Sequence, residues 1–286
     1  MSGNCKNWLQ KNQLALRMHL NKVIGFYFLS ACLFSCTNDG PKSSIPTTDT
    51  STLSKTEQLL QNSSTADTVR EQLIEQLVQK NDYGKALDQI NLLLSKDSSN
   101  PGWLYIKADA LERSGDTATA ISYYNKAVNK AGIFIEAEMR AANLFAETGN
   151  KNALVLCDNL LKNAGAARFR SDILMMKGIY YSKIQNSEKA LETFNQVIRE
   201  DYSYKDAYIE KGLVYYDLKK YEDAWKVFNK STEVSNTFAD GYFWMAKAEE
   251  KLNRKEEAIA NYKRSLALDQ SLSEAREALK RLGVVK

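Results

Sequence analysis

Apolar residues recur at helical spacing along most of the chain after residue 67. They fall at positions i, i+1, i+4, i+7 and i+8, so that each set shares one wide face of a helix. Two such sets are Ala190, Leu191, Phe194, Val197 and Ile198, and Ala120, Ile121, Tyr124, Ala127 and Val128. Short polar stretches with Gly, Asn, Asp or Lys separate these segments and are typical of turns. The pattern predicts a series of amphipathic helices joined by turns, each with one face to bury.

The pattern repeats with a period of 34 residues. Small, aromatic and alanine positions each form a column at that interval. The columns are Ala190, Ala224 and Ala258; Phe194, Phe228 and Tyr262; Gly178, Gly212 and Ala246; Leu174, Tyr208 and Tyr242; and Ala86 with Ala120. This period and these residue types resemble the tetratricopeptide repeat (TPR), a helix–turn–helix unit that buries its apolar face by stacking on its neighbours.

The resemblance covers residues 67–272. It implies an all-α fold, a right-handed α-solenoid of about six TPR helix–turn–helix repeats with a C-terminal capping helix. The predicted repeats are 67–100, 101–134, 135–168, 171–204, 205–238 and 239–272. Residues 273–286 are predicted to form the capping helix and tail, because Ser273 can cap a helix that Gly283 closes.

Two repeats depart from the pattern. The first has Ile74 where the others have a small residue. In the third, Ala153 follows Ala120 by 33 residues and Ala190 follows Ala153 by 37, so the regular spacing is broken. The gained residues fall within 163–170, and we predict an irregularity and a kink of the superhelix there.

The N-terminal segment has the pattern of a bacterial secretory signal. Residues 23–34 are a twelve-residue apolar run behind Lys22, too short to span a bilayer as a helix. The run ends in L-F-S-C, and the chain beyond is polar, which resembles the signal of bacterial lipoproteins. Residues 1–35 are therefore predicted to be a signal peptide. Cys36 would be the lipidated first residue of the mature protein, carrying palmitate or similar acyl chains.

Alternatives at the N-terminus stay open. The sequence L-S-A-C, which ends at Cys32, also matches the lipoprotein pattern and gives an alternative lipidation site. An ordinary signal or a short uncleaved anchor would produce a similar apolar run. Met18 offers a more usual start for a signal, in which case residues 1–17 are not translated. Residues 36–66 begin with the lipidated cysteine and are rich in Ser and Thr, which predicts a flexible tether.

Charge and composition argue against nucleic-acid binding and catalysis. Four of the 39 basic residues lie in residues 1–35, which hold no acid, and the other 35 match the 35 acidic residues. A neutral body lacks the basic surface that nucleic-acid binding requires. The single histidine is His19, inside the predicted signal, and no metal-binding, phosphate-binding or nucleophile motif follows it. We therefore predict no enzyme, no cofactor and no metal site, and a buried, inert Cys157.

The first helix of each tetratricopeptide repeat lines a concave groove, so the resemblance implies partner-binding positions there. These positions are Tyr105, Ile106, Met139, Arg140, Asn143, Met175, Met176, Ile179, Ile209, Leu213, Tyr216, Phe243, Trp244 and Lys247, with Asp109 beside them. Many are apolar, which favours a binding surface for a peptide, above all along the stripe Met175, Met176, Ile209 and Phe243. The alternative is that they pack on the next helix without any ligand. A carboxylate clamp is not expected, because Met139, Met175 and Ile209 stand where the clamp needs lysine.

Together these features predict a lipid-anchored TPR scaffold or adaptor of the bacterial cell envelope. The outer membrane is the expected membrane, and the side that the protein faces, periplasm or cell surface, stays open. The expected partner is an envelope protein or peptide rather than a nucleic acid or a small molecule. The alternative is a surface glycan-binding lipoprotein in which Trp103, Tyr105, Tyr242 and Trp244 stack on sugar rings.

Overall fold

The computed structural model describes residues 66–132 and 134–284, and within these ranges the chain is helical and has no strand. The α-helices are α1 (Ala66–Gln79), α2 (Tyr83–Lys96), α3 (Pro101–Ser114), α4 (Thr117–Ala131), α5 (Ile135–Glu147), α6 (Asn152–Lys162), α7 (Arg170–Lys183), α8 (Ser187–Glu200), α9 (Lys205–Asp217), α10 (Tyr221–Val234), α11 (Ala239–Lys251), α12 (Lys255–Leu268) and α13 (Ser273–Arg281), with a 3₁₀-helix, η1 (Ala164–Phe169), between α6 and α7. The predicted signal, Cys32, Cys36 and the tether up to residue 65 lie outside the described residues. No described helix is long and apolar enough to cross a bilayer.

The helices pack as six consecutive helix–turn–helix pairs, from α1 with α2 to α11 with α12. The second helix of each pair packs on the first helix of the next pair, and α13 packs on α12 at the end of the stack. Each pair thus buries its apolar face against its neighbours. The all-α helical repeat solenoid that the period predicts is confirmed.

Each pair closes its turn with one residue in the left-handed backbone region. These residues are Asn81, Gly115, Gly149, Gln185, Lys219 and Asn253, with φ from 59° to 94°. The next helix then begins behind a side-chain cap in several repeats: Asp82, Asp116 and Asn186 each accept a backbone N–H three residues ahead. These left-handed residues therefore recur at the sequence period, except between Gly149 and Gln185, where the interval is longer.

A small residue on the first helix faces a large one on the second helix of the same repeat. In the fourth and fifth repeats, Gly178 faces Phe194 and Gly212 faces Phe228. A Cβ atom would lie 2.4 Å from Phe194 Cε1 at the first glycine and 2.3 Å from Phe228 Cε1 at the second. Both rings are fully buried. The bare glycine backbone is therefore what allows the two helices to approach this closely.

The second repeat makes the same contact with different residues. Ala108 takes the small position, Tyr124 supplies the ring, and the tyrosine hydroxyl donates a 2.8 Å hydrogen bond to Glu112, one turn after the alanine. The corresponding residues of the sixth repeat, linked in the same way, are Ala246, Tyr262 and Glu250. Where alanine replaces glycine on the first helix, the facing ring is a tyrosine, and a glutamate accepts a hydrogen bond from its hydroxyl.

The third repeat differs from the others. Its second helix, α6, has 11 residues, and Cys157 stands fully buried where the next repeats have a phenylalanine ring. Burial raises the pKa of the Cys157 thiol to about 12. The chain then forms η1, inside the segment 163–170 where the sequence predicts an irregularity. Helix α7 contacts α5 extensively as well as α6 and η1, whereas the first helices of the later repeats barely meet. The kink stays a prediction.

The glycine–ring contact predicts that Gly212→Ala destabilises the protein. The added methyl must displace the Phe228 ring, which should lower the free energy of unfolding by about 1–3 kcal/mol despite the better helix propensity of alanine. Urea denaturation followed by far-UV circular dichroism measures the change. Gly84→Ala is the matched control, because a Cβ at Gly84 in α2 meets no atom within 4 Å. It should raise stability by up to about 1 kcal/mol. Equal effects of the two substitutions would contradict the packing argument.

Candidate protein-binding groove

All the groove residues expected from the sequence lie on the first helices α3, α5, α7, α9 and α11. Eight of them are buried. They are Met139, Arg140, Asn143, Met175, Met176, Ile209, Phe243 and Trp244, none more than 5% exposed. Six are half-buried and open to solvent: Tyr105, Ile106, Ile179, Leu213, Tyr216 and Lys247. The surface left for a partner is therefore smaller than the sequence pattern indicates.

The expectation that the stripe Met175, Met176, Ile209 and Phe243 is exposed is wrong. These four side chains are at most 2% exposed, because they fill the space between neighbouring helices. The Phe243 ring, for example, packs on Trp244 with centroids 5.3 Å apart and on Tyr262 at 5.8 Å. Apolar residues at these positions serve the stacking of the repeats, and a partner cannot reach them in this structure.

An ion-pair network centred on the buried Arg140 lies between the first helices of the second and third repeats. Arg140, on α5, reaches back to α3, with Nη1 3.7 Å from Glu112 Oε1 and Nη2 3.9 Å from Asp109 Oδ1. Asp109 also accepts a 2.7 Å hydrogen bond from Arg113 Nε. Tyr105 lies beside this network, and burial raises its pKa to about 12, although the Arg140 charge opposes the shift. Arg140, which was expected to bind a partner, therefore compensates the charges of Glu112 and Asp109 inside the protein.

The groove of the fifth and sixth repeats stays open. A cleft of about 310 Å³ lies between α9, α11 and α13, lined by Tyr216, Lys247, Glu250, Lys251 and Arg281. We call it the C-terminal cleft. Tyr216 is the aromatic residue of this lining: its ring meets the buried Trp244 edge-on at 6.2 Å, and Lys247 Nζ lies 5.2 Å from the Trp244 ring centroid. The cleft thus combines one aromatic ring with four charged side chains.

The charges of the C-terminal cleft are unevenly paired. Arg281 Nη2 donates to both oxygens of Glu250, at 2.7 Å and 2.6 Å, and Tyr262 donates to the same carboxylate. Burial lowers the pKa of the Lys247 ammonium, against the opposing charges of Glu274 and Glu250. Burial also raises the pKa of Tyr216 to about 12. Glu250 is therefore engaged by two partners, while Lys247 is half-buried and Lys251 is exposed.

Two of the cleft residues, Tyr216 and Lys247, were expected from the sequence, and three were not. Glu250 and Lys251 follow Lys247 by three and four residues and so share its face of α11. Arg281 follows Lys247 by 34 residues. Extending the repeat period into the capping helix would have found it.

The residues considered for sugar stacking do not form one surface. Trp103 and Tyr105 lie on α3, and Tyr242 and Trp244 lie on α11, four repeats further along the stack. Trp244 is 5% exposed, and the Tyr105 ring packs on Tyr124 and Phe134 at 5.5 Å and 5.1 Å. Among the described residues, no cluster of three or more His, Cys, Asp or Glu side chains is placed to hold a metal ion.

Family models described as tetratricopeptide repeats match the chain in three segments. One matches residues 73–134 and 175–234, and another matches residues 239–272. Together they account for more than half of the chain. The gap between the first two segments contains the third repeat and η1, where the spacing and the helix lengths depart from the pattern.

Solved structures of helical repeat proteins resemble the chain at low sequence identity. A tetratricopeptide repeat protein from Parabacteroides merdae is 18% identical with a TM-score of 0.64, over 81% of this chain and 90% of that one. The type IV pilus biogenesis factor PilW is 16% identical with a TM-score of 0.61, over 76% of this chain and 99% of that one. The C-terminal part of a repeat protein from Cytophaga hutchinsonii is 18% identical with a TM-score of 0.51, over 74% of this chain and 86% of that one. No curated protein matches the sequence significantly. At these identities the likeness shows the fold alone.

The buried network predicts that Arg140→Met destabilises the protein strongly. The substitution leaves Glu112 and Asp109 without their nearest buried cation, so the free energy of unfolding should fall by about 3–5 kcal/mol. Chemical denaturation of the two proteins measures the difference. Lys96→Met serves as the control, because its 2.5 Å pair with Asp67 is exposed and should contribute little. A loss at Arg140 no larger than at Lys96 would show that the network is not needed for folding.

Proposed function

Since the chain belongs to the tetratricopeptide repeat family, whose members are generally protein-interaction scaffolds, we propose that it binds a protein or peptide partner in its C-terminal cleft. The protein acts as a scaffold or adaptor and catalyses no reaction. The observation that carries this proposal is the contrast along the groove. In the second and third repeats the groove holds the buried Arg140 with its carboxylate partners Glu112 and Asp109, whereas in the fifth and sixth a cleft is open beside Tyr216 and Lys247.

The chemistry of the open positions suits a protein partner. Leu213 and Tyr216 offer apolar and aromatic contact area, and Tyr216 has an ordered position against Trp244. Tyrosine and arginine, here Tyr216 and Arg281, are among the residue types that contribute most to protein interfaces. The neutral balance of charge beyond residue 35 gives no support to nucleic acid as the ligand.

The location that we propose is the bacterial cell envelope. Support comes from the sequence: the apolar run at residues 23–34 precedes Cys36, and a polar, Ser/Thr-rich segment follows. In this proposal Cys36, or alternatively Cys32, carries a lipid that holds the repeats at the outer membrane, with residues 36–66 as the tether. The repeats would then meet partners that are themselves fixed in the envelope.

Site-specific photo-crosslinking tests the binding surface. A photoreactive amino acid at Leu213 should give a defined adduct in the cells that make the protein, because that half-buried position lies one turn of α9 before Tyr216, which lines the C-terminal cleft. The same amino acid at Lys263, exposed on the second helix α12, is the matched control and should give none. Identical adducts at both positions, or adducts at Lys263 alone, would place partner binding elsewhere on the molecule.

Mass measurement and membrane fractionation test the anchor. The native protein should have a mature mass that begins at Cys36 plus acyl chains, and it should sediment with membranes. Cys36→Ala should abolish both the acylation and the sedimentation, whereas Cys32→Ala should leave them unchanged. The reverse pattern would assign the lipid to Cys32. An unmodified protein in the soluble fraction would overturn the anchor while leaving the scaffold proposal intact.

A further inference from the structure

One column of residues runs along the open side of the last three repeats and the capping helix. Ile179, Leu213, Lys247 and Arg281 follow one another at intervals of 34 residues, on α7, α9, α11 and α13. The first three are half-buried and Arg281 is exposed. The column changes from apolar to cationic along its length. Its members therefore offer successive, chemically different contacts to anything that lies along the groove.

We propose that this column selects an extended peptide segment with apolar side chains at one end and carboxylates at the other. The proposal rests on the function proposed above and names the class of partner. The apolar end of the segment contacts Ile179 and Leu213. The acidic end enters the C-terminal cleft and pairs with Lys247 and Lys251.

The acidic end is assigned from the charges in the cleft. Lys247 Nζ lies 5.6 Å from the Phe243 ring and 5.2 Å from the Trp244 ring, and in the described part of the chain it forms no ion pair. The Glu250 carboxylate is already held by Arg281 and Tyr262. Glu274 on α13 is the other acid that acts on Lys247, while Lys251 and Arg281 add positive charge beside it. A half-buried ammonium in this setting gains most from an incoming carboxylate, which forms a charge-assisted hydrogen bond.

The apolar end is assigned from the exposure of the column. Ile179 and Leu213 stay open, although the neighbouring apolar side chains Met176 and Ile209 are fully buried. Packing between the repeats therefore leaves part of the Ile179 and Leu213 side chains exposed. Apolar side chains that remain half-open at corresponding positions of successive first helices suit a binding surface.

The spacing of the column sets the spacing of the peptide. Neighbouring helices lie about 8–10 Å apart, and a peptide in the extended polyproline II conformation advances about 3.1 Å per residue with three residues per turn, so that every third side chain lies on the same side. Adjacent contacts on the column therefore correspond to about three residues of peptide. The expected segment carries apolar residues and then acidic residues at every third position.

Fluorescence polarisation with designed peptides tests the proposal on the full chain. The probes are the fluorescein-labelled peptides LSSLSSDSSD, LSSLSSKSSK and SSSSSSDSSD. The first should bind roughly tenfold more tightly than either of the others, because it alone satisfies both ends of the column. Equal binding of all three peptides, or preference for the lysine peptide, would overturn the proposal.

Charge reversal identifies the residue responsible. Lys247→Glu should weaken the binding of the acidic peptide LSSLSSDSSD and strengthen the binding of the lysine peptide LSSLSSKSSK. The order of the two affinities should therefore be inverted. Lys263→Glu, on the opposite helix of the same repeat, should change neither. Lys247→Gln, which keeps the stem of the side chain, should reduce the preference without inverting it, and a thermal melt verifies that each variant is folded. Equal effects at Lys247 and Lys263 would contradict the assignment.

The peptide and crosslinking experiments distinguish failure of the peptide class from failure of the scaffold function. If Leu213 captures a partner but the peptides show no preference for charge, the scaffold function stands and the apolar-to-acidic class is wrong. If Leu213 captures nothing and the peptides do not bind, both proposals are overturned.

Discussion

The contact between a buried ring and a small residue sets the distance between the two helices of a repeat, and the other features of the stack follow from that distance. Glycine against phenylalanine is one solution, seen in Gly178 with Phe194 and in Gly212 with Phe228. Alanine against tyrosine, with a glutamate that accepts a hydrogen bond from the hydroxyl, is a second solution, seen in the second and sixth repeats. The two solutions have different consequences, because only the second brings a carboxylate to the groove side of the first helix.

That carboxylate shapes the groove. Glu112 and Glu250 each accept a tyrosine hydroxyl, and each is met by an arginine from the next first helix, Arg140 for one and Arg281 for the other. Arg140, in the third repeat, is buried between its carboxylate partners. Arg281, on the short capping helix, is exposed, and a cleft is open beside it. The same pairing of tyrosine, glutamate and arginine is thus buried in one part of the stack and borders the proposed binding cleft in another.

The fold was predictable from the sequence because the period of 34 and the small–large columns are local patterns that stacking must satisfy. The open part of the groove was not. Met175 and Leu213 are both apolar residues expected to line the groove, yet one is buried and the other open, since exposure depends on how closely the neighbouring first helix approaches. Arg140 was assigned to binding because the repeat resemblance places it on the groove side of a first helix, whereas its carboxylate partners come from the preceding first helix, about thirty residues away in sequence.

The irregular third repeat has a consequence for how the stack loses its structure. In a repeat protein, stability is the sum of each unit and its contacts with its nearest neighbours, and unfolding spreads along the stack like a one-dimensional transition. Because α7 meets α5, α6 and η1 together, the junction after the third repeat joins its neighbours more extensively than the regular junctions do. Fraying is therefore expected to begin at the terminal repeats, and the central junction should be the last cooperative unit to open. The segment that departs most from the family pattern would then be the one that holds the two halves of the stack in a single folding unit.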